Sequence, residues 1–216
     1  NYNNGLEGAC EGGHNEVIKI MITLGATDYN GGLVGACRGG HNDIIKIMID
    51  LGATDYNGGL VGACRGGHIE IVNLMISLGA NEYNLGLENA SRGGHIEIVK
   101  LMISLGATNY TGGLIYAVFN HDIEIVKMMI ELGENSFNEI LEYTENIDIA
   151  KLAIKNGATY IDNLLFGNLE FKILYCKVSK KNIELPIKTQ HLEYHLLNVY
   201  NKRIPDIDRL INKYLY

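Results

Sequence analysis

A 27-residue step organises this chain and limits its fold more than any other feature. Tyr2, Tyr29, Tyr56, Tyr83 and Tyr110 keep the step, and Phe137 takes the next place. His14, His41, His68 and His95 keep it too, with Asp122 at the fifth turn. A fixed period of this length is the signature of a solenoid, in which each repeat packs on its neighbours instead of on one central core.

Residues 30–57 show the unit in full. Leu33, Ala36 and Cys37 place apolar atoms at i, i+3 and i+4, the spacing of one helix face, and predict a short helix over 31–39. Gly39 and Gly40 read as the turn that ends it. A second helix begins near His41, with Asp43 in its first turn where a negative charge complements the helix dipole. Ile44, Ile45, Ile47, Met48, Ile49 and Leu51 leave only Asp43, Lys46 and Asp50 polar, which suits a helix sandwiched between neighbours. Gly52 ends this helix at a left-handed cap, and Thr54, Asp55, Tyr56 and Asn57 form the loop to the next unit. The expectation is therefore an all-α stack of helix–turn–helix layers.

Composition agrees. Hydrophobic residues make up 47% of the 216, enough burial to argue against bulk disorder. No apolar run reaches the ~20 residues that a membrane helix needs, so no membrane partner is expected. The net charge is −7, with acidic residues in excess over 1–167 and basic residues in excess over 168–216. An acidic array is a poor ligand for nucleic acid, because phosphate attraction dominates that affinity. The Lys180–Lys181 pair reads as a solvated helix end. Cys10, Cys37 and Cys64 repeat one position, and stacked helices ~8–10 Å apart hold them beyond disulfide reach. Small buried thiols of this kind fit a reducing cytosol. Asn1 falls inside a repeat, which reads as an incomplete N-terminus.

The order A-C-R-G-G-H, then a [DE]-[IV]-[IV]-K-[IL]-M-I-x-L-G-A helix, resembles the second half of an ankyrin repeat. The likeness runs from Gly5 to about Tyr110 and more loosely to Tyr160. Two departures matter: ankyrin repeats run 33 residues, and Gly58, Gly59, Leu60 and Val61 replace the family's T-P-L-H start. The resemblance thus implies an ankyrin-type solenoid whose projecting hairpin fingers are trimmed to tight turns. Short repeats of this kind are similar to those of ankyrin-rich proteins from large DNA viruses of protists, and a richness in Asn, Ile, Lys and Tyr is compatible with such a source. Residues 1–167 read as the array, about six repeats. The sixth is shortened, since Ile147 follows Ile123 by 24 residues. Residues 168–216 read as a degenerate repeat and a helical cap, with helices expected over 189–202 and 206–214.

No constellation points to chemistry. One histidine per layer cannot converge on a zinc ion, whose ligands lie ~2 Å from the metal. The resemblance instead implies that this histidine bridges neighbouring repeats by hydrogen bonds. His191 and His195 lie four apart, but nothing completes a metal site. Neither glycine pair belongs to a phosphate loop, and no nucleophile elbow occurs. No enzyme activity, cofactor or metal is expected.

The resemblance implies protein–protein recognition by the concave face. The position after the buried pair is filled by Glu11, Arg38, Arg65, Arg92 and Phe119, and in the family it looks onto that face. With glycines following, the arginines are expected to be free of bulky neighbours and able to engage a partner's carboxylates. Glu88, Asn89, Tyr116 and Tyr143 on the first helices, and Asp28 and Asp55 in the turns, complete the expected surface. Two alternative roles are an adaptor that recruits a ubiquitin ligase, as the viral resemblance implies, and a self-assembling structural component.

Overall fold

The structure, a computed structural model, describes residues 1–144 and 146–158. Among the described residues there are helices and no strands. The chain divides into two compact units, Asn1–Ser136 and Phe137–Tyr216. The expected boundary at 167/168, the helical cap, His191 and His195 lie outside the described residues.

The first unit holds five helical hairpins. Their inner helices are α1 (Tyr2–Glu11), α3 (Tyr29–Gly39), α5 (Tyr56–Gly66), α7 (Tyr83–Gly93) and α9 (Tyr110–Phe119). Their outer helices are α2 (Asn15–Thr23), α4 (Asn42–Asp50), α6 (Ile69–Ser77), α8 (Ile96–Ser104) and α10 (Ile123–Glu131). Each inner helix packs on the next in sequence, α1 on α3, α3 on α5, α5 on α7 and α7 on α9. Among its described residues the second unit contains one hairpin, α11 (Phe137–Tyr143) packed on α12 (Ile147–Lys155). The architecture is the expected stack of helical hairpins with short connections.

The core is a set of ladders at the 27-residue step. Leu6, Leu33, Leu60, Leu87 and Leu114 are all buried, as are Ala9, Ala36, Ala63, Ala90 and Ala117. Met48, Met75, Met102 and Met129 come down from the outer helices to meet them. The outer helices bury less than their sequence suggests. Ile20, Ile47 and Leu74 are exposed, and so are Leu24, Leu51, Leu78, Leu105 and Leu132. Only the rung at Ile44, Ile45 and Met48 turns inward, because each outer helix packs on one side and leaves the other to solvent. The expected sandwich of the second helix is therefore one-sided.

The two glycines of each pair do different work. Gly40, at φ 83°, is the left-handed cap that ends α3, as expected of a turn. Gly39 is still helical, and a Cβ there would lie 2.1 Å from the Glu11 carbonyl oxygen of α1. Gly35, one turn earlier, would meet the Glu7 carbonyl oxygen at 2.3 Å. These helical glycines are contact residues that let inner helices approach backbone to backbone.

Candidate functional site

Polar links between repeats set the geometry of the inner-helix face. His41 Nε2 stands 3.0 Å from the Glu11 carbonyl, His68 Nε2 3.1 Å from that of Arg38, and His95 Nε2 3.1 Å from that of Arg65. A carbonyl only accepts, so each Nε2 carries its proton. The residue whose side chain forms the expected arginine ladder thus also supplies the backbone acceptor for the next repeat. Asp122, in place of the fifth histidine, caps its own helix by accepting from the backbone N–H groups of Glu124 and Ile125.

A second ladder, of asparagines, also links successive repeats. Asn3, Asn30, Asn57 and Asn84 each accept, at Oδ1, two backbone N–H bonds from the following loop. Its signal is an asparagine immediately after each of the first four tyrosines of the 27-residue ladder, Tyr2, Tyr29, Tyr56 and Tyr83. At the fifth turn Thr111 donates to Glu134, which also accepts from Asn135 and Ser136. Burial would raise the Glu134 carboxyl, but these hydrogen bonds outweigh it and hold it below the usual carboxylate range.

Five of the expected surface residues lie apart from the arginine ladder. Asp28 and Asp55 cap α3 and α5 through the N–H groups of Gly31 and Gly58 at 2.9 and 2.8 Å. Glu88 accepts from the Asn109 side chain, and Asn89 donates to the Leu85 carbonyl, so both serve their own scaffold. Tyr143 is exposed on α11, in the second unit.

The arginine ladder is not uniform. Arg38 is a quarter exposed and pairs with Glu11 at 2.9 Å and with Glu7 at 3.7 Å, both on α1. The expectation of three free guanidinium groups fails here, because the diverged first repeat places two carboxylates one turn apart beneath it. Arg65 is exposed and makes no ion pair among the described residues. Arg92 is exposed and lies over the Tyr116 ring, 5.6 Å from its centroid, a cation–π contact that orients the guanidinium.

Arg92, Tyr116, Phe119 and Asn120 line an open concavity of about 390 Å³. Three of the expected surface residues, Arg92, Tyr116 and Phe119, therefore converge, joined by Asn120, which the sequence pattern alone does not single out. Tyr116 occupies the repeat position of Gly35 and Gly62, and Asn120 that of Gly39 and Gly66. The concavity forms where the close-contact glycines have been replaced. Phe119 is 55% exposed, the most exposed large apolar side chain among the described residues. Together these groups offer an oriented cation beside aromatic surface and a neutral amide. Among the described residues no three metal-ligating side chains converge, and no helix is long and apolar enough to cross a membrane.

No family model matches the chain, and a search of curated proteins finds no relative. Its class rests on the architecture: a repeat protein built from stacked helical hairpins, consistent with an ankyrin-like array.

Proposed function

We propose that the protein is a non-catalytic recognition module that binds a protein partner through the face of α5, α7 and α9. The observation that carries this reading is the concavity at Arg92, Tyr116, Phe119 and Asn120, where an exposed, oriented arginine adjoins exposed aromatic surface. Arginine and aromatic side chains of this kind dominate binding energy at protein interfaces. Within this reading the chain is an ankyrin-type repeat protein with trimmed fingers. Its support is the histidine bridge between repeats and the short loops between hairpins. The free, buried thiols of Cys10, Cys37 and Cys64 suit a cytosolic location.

The test is copurification from cells that express the chain, wild type against the double variant R65E/R92E. Both substitutions lie on exposed side chains, so each should change stability by less than ~0.5 kcal/mol. A polypeptide retained by the wild type and lost with the variant, at equal melting temperature, supports the reading. A partner set unchanged by the variant and by Tyr116→Ala places recognition elsewhere.

A further inference from the structure

We infer that the face at Arg65, Arg92 and Phe119 takes an extended acidic segment of the partner, patterned acidic–x–x–acidic–x–x–aromatic. The inference rests on the recognition reading above and specifies its ligand.

The protein itself shows what a ladder arginine binds. Arg38 occupies the same repeat position as Arg65 and Arg92, and it is held by the carboxylates of Glu7 and Glu11. Those two acids sit in the preceding repeat. For Arg65 the same two places are filled by Val34 and Arg38, and for Arg92 by Val61 and Arg65. The chain therefore satisfies its first arginine from the preceding repeat and places no carboxylate at the same two positions for the next two. Acidic side chains from outside would complete the same pairs. Arg92 is already oriented by Tyr116, so less ordering cost remains at binding.

Spacing sets the pattern. Arg65, Arg92 and Phe119 are successive rungs on α5, α7 and α9, which pack consecutively. Packed helices lie ~8–10 Å apart, and a segment in the extended polyproline-II conformation advances ~3.1 Å per residue with three residues per turn, so that every third side chain faces the same way. A segment crossing the helices therefore meets one rung at about every third residue. Two carboxylates reach Arg65 and Arg92, and an aromatic side chain lands on Phe119 and Tyr116. Asn120, at the rim of the concavity, offers both donor and acceptor to the segment's backbone.

The probes are blocked nonapeptides bound to the full chain, measured by fluorescence anisotropy at low and high salt. One reads Gly-Glu-Ser-Ser-Glu-Ser-Ser-Phe-Gly, a second carries the reverse order, and a third replaces both Glu by Gln. A fourth puts the two Glu side by side. One of the first two should bind about tenfold or more tighter than the Gln and adjacent-Glu peptides. That binding should weaken with salt, fall in R65E/R92E and in Phe119→Ala, and persist in Gly8→Ala, a substitution on the far repeat. Equal binding of Glu and Gln peptides overturns the acidic code while leaving a peptide-binding face. Equal binding of the spaced and adjacent acids overturns the register. A single-stranded oligonucleotide binding at the same residues as tightly as the best peptide overturns the assignment to a protein segment. If no peptide binds but copurification still depends on Arg65 and Arg92, the pattern is wrong and recognition stands. If neither depends on these residues, both readings fall.

Discussion

His68 donates through Nε2 to the backbone carbonyl of Arg38, 3.1 Å away in the preceding repeat. The contact uses the arginine's main chain, so changing its side chain leaves the bridge in place. His68→Ala should cost about 1 kcal/mol, the worth of one intramolecular hydrogen bond. Reversing the charge at position 38 should also destabilise the fold, because Glu7 and Glu11 then face a third carboxylate. Arg65→Glu has no such cost, since no ion pair is lost there. Thermal melts of H68A, R38E and R65E should therefore fall into two groups, with R65E alone close to the wild type. Equal losses for R38E and R65E would remove the distinction drawn between the internal and the open arginine.

The glycines make a second contrast. Gly8, Gly35 and Gly62 share one repeat position. A Cβ at Gly35 would lie 2.3 Å from the Glu7 carbonyl oxygen, and one at Gly62 2.6 Å from that of Val34, while Gly8 has nothing within 4 Å. Gly35→Ala and Gly62→Ala should force α3 from α1 and α5 from α3, costing roughly 1–3 kcal/mol or more as overpacking does. Gly8→Ala should be neutral or stabilising by about 0.5–1 kcal/mol, because alanine favours the helix. The sign change at one repeat position can be read from chemical denaturation of the three variants.

Ser91 stands where its neighbours in the ladder carry cysteine. Cys10 Sγ reaches Met48 Sδ at 3.9 Å, and Cys37 reaches Met75 at 3.8 Å. The Ser91 hydroxyl is buried with no hydrogen-bond partner. Leaving such a group unsatisfied costs about 1–3 kcal/mol. Ser91→Cys should recover part of this and raise the denaturation midpoint. Ser91→Ala should be close to neutral, since it exchanges a polar penalty for a small void. A loss of stability in Ser91→Cys comparable to a core deletion would show that the hydroxyl is satisfied after all.

Much of this architecture is legible before any coordinates, and the reason is repetition. A single apolar i, i+3, i+4 triplet such as Leu33, Ala36 and Cys37 is weak evidence, but the same triplet in phase over several units defines the hairpin and its buried side. The histidine bridge followed from the resemblance and is present at His41, His68 and His95. What was not legible depends on distances between chains of atoms. Gly39 and Gly40 are equivalent as letters, yet one caps a helix and the other touches a neighbouring backbone. Arg38, Arg65 and Arg92 look alike within their own repeats, and their differing fates depend on residues at the same rungs of adjacent repeats. Asp28 and Asp55 read as exposed turn acids until their acceptor role toward Gly31 and Gly58 appears. Ile47 and Leu51 are exposed although their helix reads as sandwiched, because hydropathy alone does not tell which side of a helix has a neighbour.

Alkaline pH should destabilise the stack through its buried thiols. Burial raises the thiols of Cys37 and Cys64 from an ordinary value of 9.0 to about 12, and that of Cys10 to about 11. At pH 7–8 they remain protonated and enclosed, so thiol reagents should label them only as fast as the chain opens. Above pH 9 the unfolded chain ionises its thiols while the folded chain keeps the protons. Unfolding then releases a proton from each, the unfolded state binds fewer protons than the folded one, and stability must fall as pH rises. The stability due to protonated burial is complete below pH 9 and is lost progressively toward pH 12. For each thiol still protonated only in the folded state, the slope is about 1.4 kcal/mol per pH unit. Tyrosine and lysine titrate in the same range, so the comparison is between wild type and Cys37→Ala/Cys64→Ala. The double variant starts less stable, having lost two buried sulfurs, but its denaturation midpoint should decline less steeply between pH 9 and pH 10.5. Parallel declines for the two proteins would mean that the thiols ionise alike in both states, and that the core of the stack admits water.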